Sequence, residues 1–138
     1  MDRLILAEKL ESLRRCIARI EERRADTAAA LAADVDRQDI VTLNLTRAIQ
    51  LCVDMAAHVV TDTPQTAPRS MSEAFERLAE QGVIDQDIAS RMRSAVGFRN
   101  VAIHNYRRID WDIVHAISHE DLNDFRRFAG TIAQLVDN

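Results

Sequence analysis

Apolar residues recur at helical spacing along most of the chain, and charged residues fill many of the positions between them. Near the start, Leu6, Leu13 and Ile20 belong to a stripe with nearly heptad spacing, as expected for one face of an amphipathic helix. The same spacing predicts a second long helix over roughly 37–62 and a last one over roughly 120–136. Their stripes are Ile40, Leu45, Ala48, Leu51, Cys52, Met55 and Val59, and then Leu122, Phe125, Phe128, Ala129, Ile132 and Leu135.

Capping patterns predict where helices begin. Asp36 stands before an apolar run with Asp39 three residues further on, which predicts an N-cap at Asp36. Ser70 and Glu73 form a capping-box pattern for a third helix. Asp85 is placed to cap a fourth helix that starts directly after it.

Other residues predict where helices end. The stretch 61–69 holds both prolines and several threonines, so it is predicted to be a loop. The third helix is expected to end near Gly82, and the Ala-rich stretch 27–33 to form a short helix or turn. Asp110 is expected to start a short helix that breaks after Ile117.

Composition agrees with a helical fold. Three glycines, two prolines and 4% aromatic residues leave few of the residues that strands and hairpin turns need. A hydrophobic share of 47% in 138 residues is enough for the core of one domain. We therefore predict an all-α fold, a single antiparallel bundle of about five helices that spans residues 1–138 as one domain. The first helix is long for such a core and leaves apolar surface to cover, so a homodimer is expected.

Cysteine usage and the length of the apolar runs indicate the compartment. Cys16 and Cys52 fall on apolar helical positions without a CxxC spacing, which is typical of buried, reduced thiols. No apolar run approaches about 20 residues, and the chain does not begin with a charged and then apolar leader. The chain is therefore expected in the cytoplasm, without a membrane partner.

One short segment carries four side chains suited to chemistry, which are Arg99, Asn100, His104 and Tyr106. On a helix Asn100 and His104 are one turn apart and can touch. Arg99 and Tyr106 lie on one line if the helix continues that far. Arg99 and His104 are about 140° apart around an ideal helix. They would line one cleft if the helix frays just before His104, or they would meet across a dimer axis.

This set suits cleavage of a phosphodiester by the neighbouring ribose 2′-hydroxyl. An imidazole titrates near neutral pH, so His104 is suited to take the 2′-hydroxyl proton or to protonate the leaving oxygen. Arg99 is suited to stabilise negative charge on the phosphate, and Asn100 to orient the imidazole. We predict that no metal and no other cofactor is needed. His115 and His119 stand four residues apart and near Asp112, but the helix break predicted between Ile117 and Asp121 argues against a zinc site.

Arginines gather around this segment although the chain as a whole has a net charge of −4. No Asp or Glu stands between positions 89 and 109, whereas Arg91, Arg93, Arg107 and Arg108 do. A local positive patch attracts a polyanion whatever the net charge of the whole protein. We interpret these four arginines as RNA-binding residues, and the alternative is a solvated helix face.

The spacing of Arg99, His104 and Tyr106 reads R-x4-H-x-Y, and at these residues the sequence resembles the HEPN superfamily. Within it the chain is most similar to the HepT-like toxins of MntA/HepT toxin–antitoxin systems. The similarity extends to the flanking residues 96–100 and to the stretches 44–54 and 75–84.

The resemblance implies more than the residues do. Proteins of this kind are helical dimers whose two motifs face one another across a cleft. They act as metal-independent endoribonuclease toxins on tRNA or mRNA. An MntA-like nucleotidyltransferase antitoxin transfers AMP from ATP to the motif tyrosine, which corresponds to Tyr106 in this chain. By resemblance, Arg99, Asn100 and His104 form the catalytic set.

A second interpretation belongs to another class of protein. The same residues fit a non-catalytic helical partner subunit of a minimal nucleotidyltransferase, where they would form interface or nucleotide-binding groups. Two aromatic side chains are given structural roles. His58 is predicted to be a partly buried histidine with a satisfied hydrogen bond, and Trp111 to pack in the core or at a dimer interface.

Overall fold

The computed structural model describes residues 2–60 and 70–138, and these residues form helices without a β-strand. The elements are α1 (Arg3–Arg23), α2 (Ala28–Ala32), α3 (Val35–Val60), α4 (Met71–Glu80), α5 (Gln86–His104), a 3₁₀ helix (Tyr106–Arg108), α6 (Trp111–Glu120) and α7 (Leu122–Asp137). The predicted all-α class is confirmed, with seven α-helices in this part of the chain instead of about five. The predicted loop at 61–69 lies outside the described residues.

α3 forms the centre of the fold and packs against α1, α4, α5 and α7. Its stripe is inaccessible to solvent at Leu45, Ile49 and Met55. Phe75 of α4 and Phe128 of α7 meet edge to face beside it, with ring centroids 5.6 Å apart. Because each full burial of such a side chain contributes about 1.5–3 kcal/mol, these long stripes are what hold the helices together.

α3 is also long and apolar enough to cross a membrane, judged by length and composition alone. Its 18-residue window has a mean hydropathy of 1.2, and 56% of that window is buried within the fold. Core helices of this kind pass the same test, so α3 gives little support for a membrane span.

Three of the four predicted helix starts are confirmed by their capping bonds. The Ser70 hydroxyl accepts from the Glu73 amide at 3.2 Å, and Asp85 Oδ1 accepts from the Ile88 amide at 2.8 Å. Asp110 Oδ1 accepts from the amide two residues on at 2.9 Å. These bonds satisfy amides that have no partner within the first turn of a helix. Gly82, with a φ of 77°, follows the end of α4 in the left-handed conformation, as predicted for a helix stop.

The predicted N-cap at Asp36 is wrong. α3 begins at Val35, so Asp36 lies in its first turn. Asp34 is the capping side chain, because its Oδ1 accepts from the Arg37 amide at 3.1 Å. The apolar pattern alone left this start uncertain by two residues, since Val35 is exposed and does not belong to the stripe.

The predicted break after Ile117 is also wrong, because α6 continues to Glu120. His115 and His119 therefore share one helix, with ring centroids 4.5 Å apart. Their Nε2 atoms lie 3.3 Å and 2.7 Å from backbone carbonyl oxygens of the turn between α1 and α2. In the residues that the structure describes, no three His, Cys, Asp or Glu side chains form a potential metal site. We assign the histidine pair to anchoring that turn.

Predictions for three side chains of α1 and α3 are confirmed. Cys16 and Cys52 are buried and free of disulfide bonds, and burial raises the pKa of both thiols. His58 is partly buried, and its Nε2 accepts from the Asp2 amide at 3.0 Å. These three groups stabilise the fold and offer no reactive nucleophile.

The apolar surface expected on the first helix is smaller than its length indicated. Leu6, Leu13 and Ile20 are all buried against the rest of the fold. Only its first turn exposes large apolar side chains, at Leu4 and Ile5. The surface of α1 therefore gives little support for a dimer. Other exposed apolar residues, near the candidate site, give more support.

Candidate active site

The candidate site lies at the C-terminal end of α5. Val96 and Ala102 of this helix face the core and are buried. Arg99 and Asn100 occupy other faces, and α5 keeps its helical hydrogen bonding through His104. The helix thus does not fray before His104. The sequence-based arrangement in which fraying brings Arg99 and His104 into one cleft is therefore not formed within a single copy of the chain. Arg99 and His104 stay about 140° apart around the axis and about 7.5 Å apart along it.

Arg99 is partly buried, and not all of its N–H donors have a hydrogen-bond partner among the described residues. Its Nη1 donates to Asn100 Oδ1 at 3.4 Å. Its Nε is buried and finds no hydrogen-bond partner among the described residues. No carboxylate of residues 2–60 or 70–138 forms an ion pair with it within 4.0 Å. A guanidinium without a carboxylate partner is suited to bind a phosphate oxyanion.

His104 is the last residue of α5, and its side chain is exposed. Asn100 stands one turn before it, and both are exposed on the same side of the helix. In the described part of the chain no hydrogen bond joins the two side chains, and the Asn100 carbonyl oxygen accepts from Arg99 instead. In this conformation the Asn100 side chain bonds to the guanidinium, and the His104 imidazole has no hydrogen-bond partner among the described residues.

Tyr106 lies beyond the end of α5, in the 3₁₀ helix. The chain turns at Asn105, with φ −149° and ψ 61°, so the α-helical line from Arg99 to Tyr106 does not form. The phenol hydroxyl donates to Asp39 Oδ1 of α3 at 3.0 Å. Its ring, 43% exposed, meets Trp111 edge to face with centroids 6.1 Å apart.

The surroundings of the phenol raise the pKa of Tyr106, first through burial and then through Asp39, whose negative charge disfavours the phenolate. The nearby Thr42 hydroxyl acts in the opposite direction. Sequence reasoning missed Asp39 here and assigned it to a helix cap. No local pattern could have found it, because the two residues stand 67 positions apart.

The four predicted RNA-binding arginines fall into two pairs. Arg91 Nε lies 3.2 Å from Asp87, and its Nη1 lies 3.6 Å from Asp124. Arg93 Nη1 lies 3.1 Å from Glu76 of α4. The second pair, Arg107 and Arg108, is exposed on the 3₁₀ helix and forms no ion pair with the acids of the described residues.

Large apolar side chains are exposed around the same region. On α5, Ile103 is 50% exposed directly beside His104, and Val101 is exposed one turn from Asn105. Leu43 of α3 is 47% exposed, one turn after Asp39. Exposed apolar residues next to polar functional groups are typical of protein interfaces.

Comparison with known proteins gives the family. A family model described as Ribonuclease HepT-like matches residues 13–132. The chain is 34% identical to the mRNA nuclease HepT of Shewanella oneidensis over 129 residues, which cover 93% of this chain and 96% of that protein.

Two solved structures are similar over nearly the whole chain. One is the tri-AMPylated Shewanella oneidensis HEPN toxin in complex with MNT antitoxin, with a TM-score of 0.89, 32% identity and coverage of 97% of this chain and 99% of that chain. The other is a toxin–antitoxin with AMP-PNP, with a TM-score of 0.88, 32% identity and coverage of 96% and 99%. The motif on α5, the helical fold and these similarities together place the chain in the Ribonuclease HepT-like family.

Proposed function

We propose that this chain is the toxin of a toxin–antitoxin pair and cleaves RNA, either tRNA or mRNA, in the cytoplasm. One observation carries the proposal. A guanidinium with unpaired donors at Arg99 and an exposed imidazole at His104 stand on the last turns of the same helix. These two groups can assist 2′-hydroxyl attack on a phosphodiester, one by proton transfer and one by stabilising charge, and the chain belongs to a ribonuclease family.

The reaction proceeds by in-line attack of the ribose 2′-oxygen on the adjacent phosphorus. The bond from phosphorus to the 5′-oxygen breaks, leaving a 2′,3′-cyclic phosphate and a 5′-hydroxyl. One His104 imidazole takes the 2′-hydroxyl proton, and a protonated His104, either the same group or that of the second copy, gives a proton to the leaving 5′-oxygen. Arg99, positioned by Asn100, stabilises the extra negative charge on the phosphate oxygens. Because protons and charge are handled by side chains, we propose that cleavage is independent of metal ions.

A homodimer would complete this site. On one copy of α5 the two groups point about 140° apart, so a second copy facing the first is the direct way to bring Arg99 and His104 to one phosphate. The exposed Ile103 and Val101 beside the motif provide apolar surface for such a contact.

We propose that an MntA-like nucleotidyltransferase neutralises the toxin by adenylylating Tyr106. The phenol oxygen attacks the α-phosphorus of ATP, a tyrosyl oxygen–phosphorus bond forms, and pyrophosphate leaves. Asp39, which already accepts the phenol hydrogen bond at 3.0 Å, takes the proton. Each AMP then adds a negative phosphate and a bulky nucleoside beside His104, which repels and blocks RNA.

The other candidate is a non-catalytic partner subunit of the same nucleotidyltransferase. The exposed apolar residues around the motif favour it, because a docking surface needs them whether or not the motif is catalytic. A purified wild-type protein that leaves tRNA and mRNA intact, yet binds the antitoxin tightly, would support this candidate and overturn the nuclease.

The deciding experiment is the substitution His104→Ala. Removing a general acid–base group typically costs about 10²–10⁴-fold in rate, so RNA cleavage and growth arrest should both be lost. His104 is exposed, so the thermal unfolding of the variant should match that of the wild type. Chelator in the cleavage assay should leave the wild-type rate unchanged.

His119→Ala is the matched control, because His119 lies on α6 and bonds to the backbone of the α1–α2 turn. At a temperature where it is folded, this control should cleave RNA at close to the wild-type rate. Full cleavage by His104→Ala, or equal loss in both variants, would remove His104 from the mechanism.

A further inference from the structure

A groove of about 750 Å³ runs between α1 and α3, outside the motif described above. Its floor includes the apolar side chains of Ile40, Leu43 and Leu51. Its polar lining is Ser12, Arg15, Arg19, Asn44, Arg47, Gln50 and Asp54. None of these residues belongs to the acid-free stretch of the sequence.

The groove is positively charged. Three arginines line it against the single carboxylate of Asp54, which also lies 3.6 Å from Lys9. Arg47 is exposed and forms no ion pair with the acids of the described residues. Arg15 lies 3.4 Å from Glu11 and Arg19 lies 3.2 Å from Glu22, both acids of α1, so these two charges are partly neutralised and Arg47 carries the unpaired charge of the groove.

The groove begins next to the candidate active site. Asp39, which holds the Tyr106 hydroxyl, lies on the same face of α3 as Leu43 and Arg47, one and two turns further along. Ile40 and Leu43 line the near end of the groove, within about one turn of that hydrogen bond. From Ile40 to Asp54 the groove follows α3 for about 21 Å.

We propose that this groove binds the sugar–phosphate backbone of the RNA strand that reaches Arg99 and His104, with Arg47 as its main phosphate contact. The inference rests on the proposed nuclease function and extends it to a second binding surface. Guanidinium groups along a groove track the phosphates of a single strand, and the apolar floor accepts the bases.

A second copy of the chain is the competing occupant. A two-fold interface places the same patch of both copies face to face. Here that would bring Arg47 of each copy, which has no acid partner among the described residues, towards the other copy, and like charges brought together destabilise such a contact. A polyanion neutralises the same arginines, so the charge of the groove favours RNA.

The test measures binding of a fluorescent single-stranded RNA in a His104→Ala background, where the probe is not cleaved. Arg47→Glu should raise the dissociation constant about tenfold or more. The slope of log affinity against log salt should fall by about 0.7 for one lost phosphate contact. Arg47→Lys, which keeps the charge, should retain most of the affinity. Arg14→Glu is the control, because Arg14 lies on the α7 side of α1 and pairs with Glu11.

Two results would overturn the inference. One is equal RNA affinity in Arg47→Glu and the Arg14→Glu control. The other is a change in the sedimentation mass of the free protein on Arg47→Glu, which would assign the groove to an interface between copies. Cleavage by the wild-type protein is scored separately, so a failure of the nuclease proposal leaves this binding result readable.

Discussion

The two ends of the acid-free stretch look alike in sequence and differ in the folded protein. At its start, Arg91 and Arg93 are held by Asp87, Asp124 and Glu76 at 3.1–3.6 Å. At its end, the guanidinium groups of Arg99, Arg107 and Arg108 form no ion pair with any acid in the part of the chain that the structure describes.

The difference comes from what packs against each end. The first turns of α5 lie between α4 and α7, and these helices supply Glu76 and Asp124. The 3₁₀ helix that follows α5 meets α3 instead, through Tyr106 and Asp39. The acid that approaches there, Asp39, accepts a hydrogen bond from Tyr106 and leaves the arginines unpaired. Positive charge in the sequence therefore becomes positive surface only where the tertiary structure brings no acid.

The largest effect is expected from removing the guanidinium of the motif, which has no acid partner among the described residues. Arg99→Ala should lower the rate constant of RNA cleavage about a hundredfold or more, because the charge that develops on the phosphate loses its donor. Arg93→Ala, at the paired end of the same helix, should stay within about twofold in the same assay. Single-turnover cleavage of a labelled RNA measures both. An equal loss of cleavage rate in the two variants would show that the paired and unpaired arginines of α5 do not differ in their contribution to cleavage.

A smaller effect is expected for RNA affinity. Replacing Arg107 and Arg108 with Gln should weaken binding about tenfold and reduce the salt slope by about 1.4, since two phosphate contacts disappear. The double replacement of Arg91 and Arg93 with Gln should change the affinity and the slope much less, because their charges are already neutralised. Anisotropy titrations at several salt concentrations distinguish the two variants. A larger effect from Arg91 and Arg93 would show that RNA displaces their acids.

The smallest expected effect is a shift in the pKa of Tyr106. Tyr106 is the single tyrosine of the chain, so the near-ultraviolet absorbance of phenolate reports it alone. Burial and Asp39 raise the pKa of Tyr106, so phenolate should appear at higher pH than in a short tyrosine peptide. Asp39→Asn should move the pKa of Tyr106 down towards its ordinary value, because the nearby negative charge is lost.

The same variant tests the role of Asp39 in modification. Adenylylation by the antitoxin and ATP, followed as mass steps of AMP, should slow in Asp39→Asn and disappear in Tyr106→Phe. Tyr106→Phe also supplies the blank for the titration. An unchanged pKa of Tyr106 in Asp39→Asn would mean that Asp39 does not bind the phenol in solution, and continued modification of Tyr106→Phe would move the acceptor elsewhere.

Helix positions could be predicted wherever a local rule governs them. The caps at Ser70 and Asp85 and the stop at Gly82 follow from bonds within one turn, and all three predictions are confirmed. The prediction at Asp36 is wrong by two residues, because Asp34 offers the same capping side chain and the exposed Val35 is not part of the apolar stripe. The predicted end of α6 at Ile117 is wrong because contacts with a distant turn accompany its last residues. α6 is extended by His119, whose ring bonds to the turn between α1 and α2.

The features of the candidate site also fall into those that the sequence predicts and those that it does not. The residue types and spacing of Arg99, Asn100, His104 and Tyr106 were readable from the sequence, because they sit within eight positions. Their catalytic and modification roles stay predictions. The partner of the phenol, the ion pair between Arg93 and Glu76 and the charged groove at Arg47 were not readable, because each depends on residues of separate helices.

By itself, then, the sequence determined the helical class, most helix boundaries and the motif on α5. Those features depend on interactions within a few residues, which helical spacing makes regular. Only the tertiary structure decided which charges stay free, which acid meets Tyr106 and where a groove opens. Those features depend on how helices that are distant in the sequence pack together. A local sequence pattern does not specify which helices become neighbours.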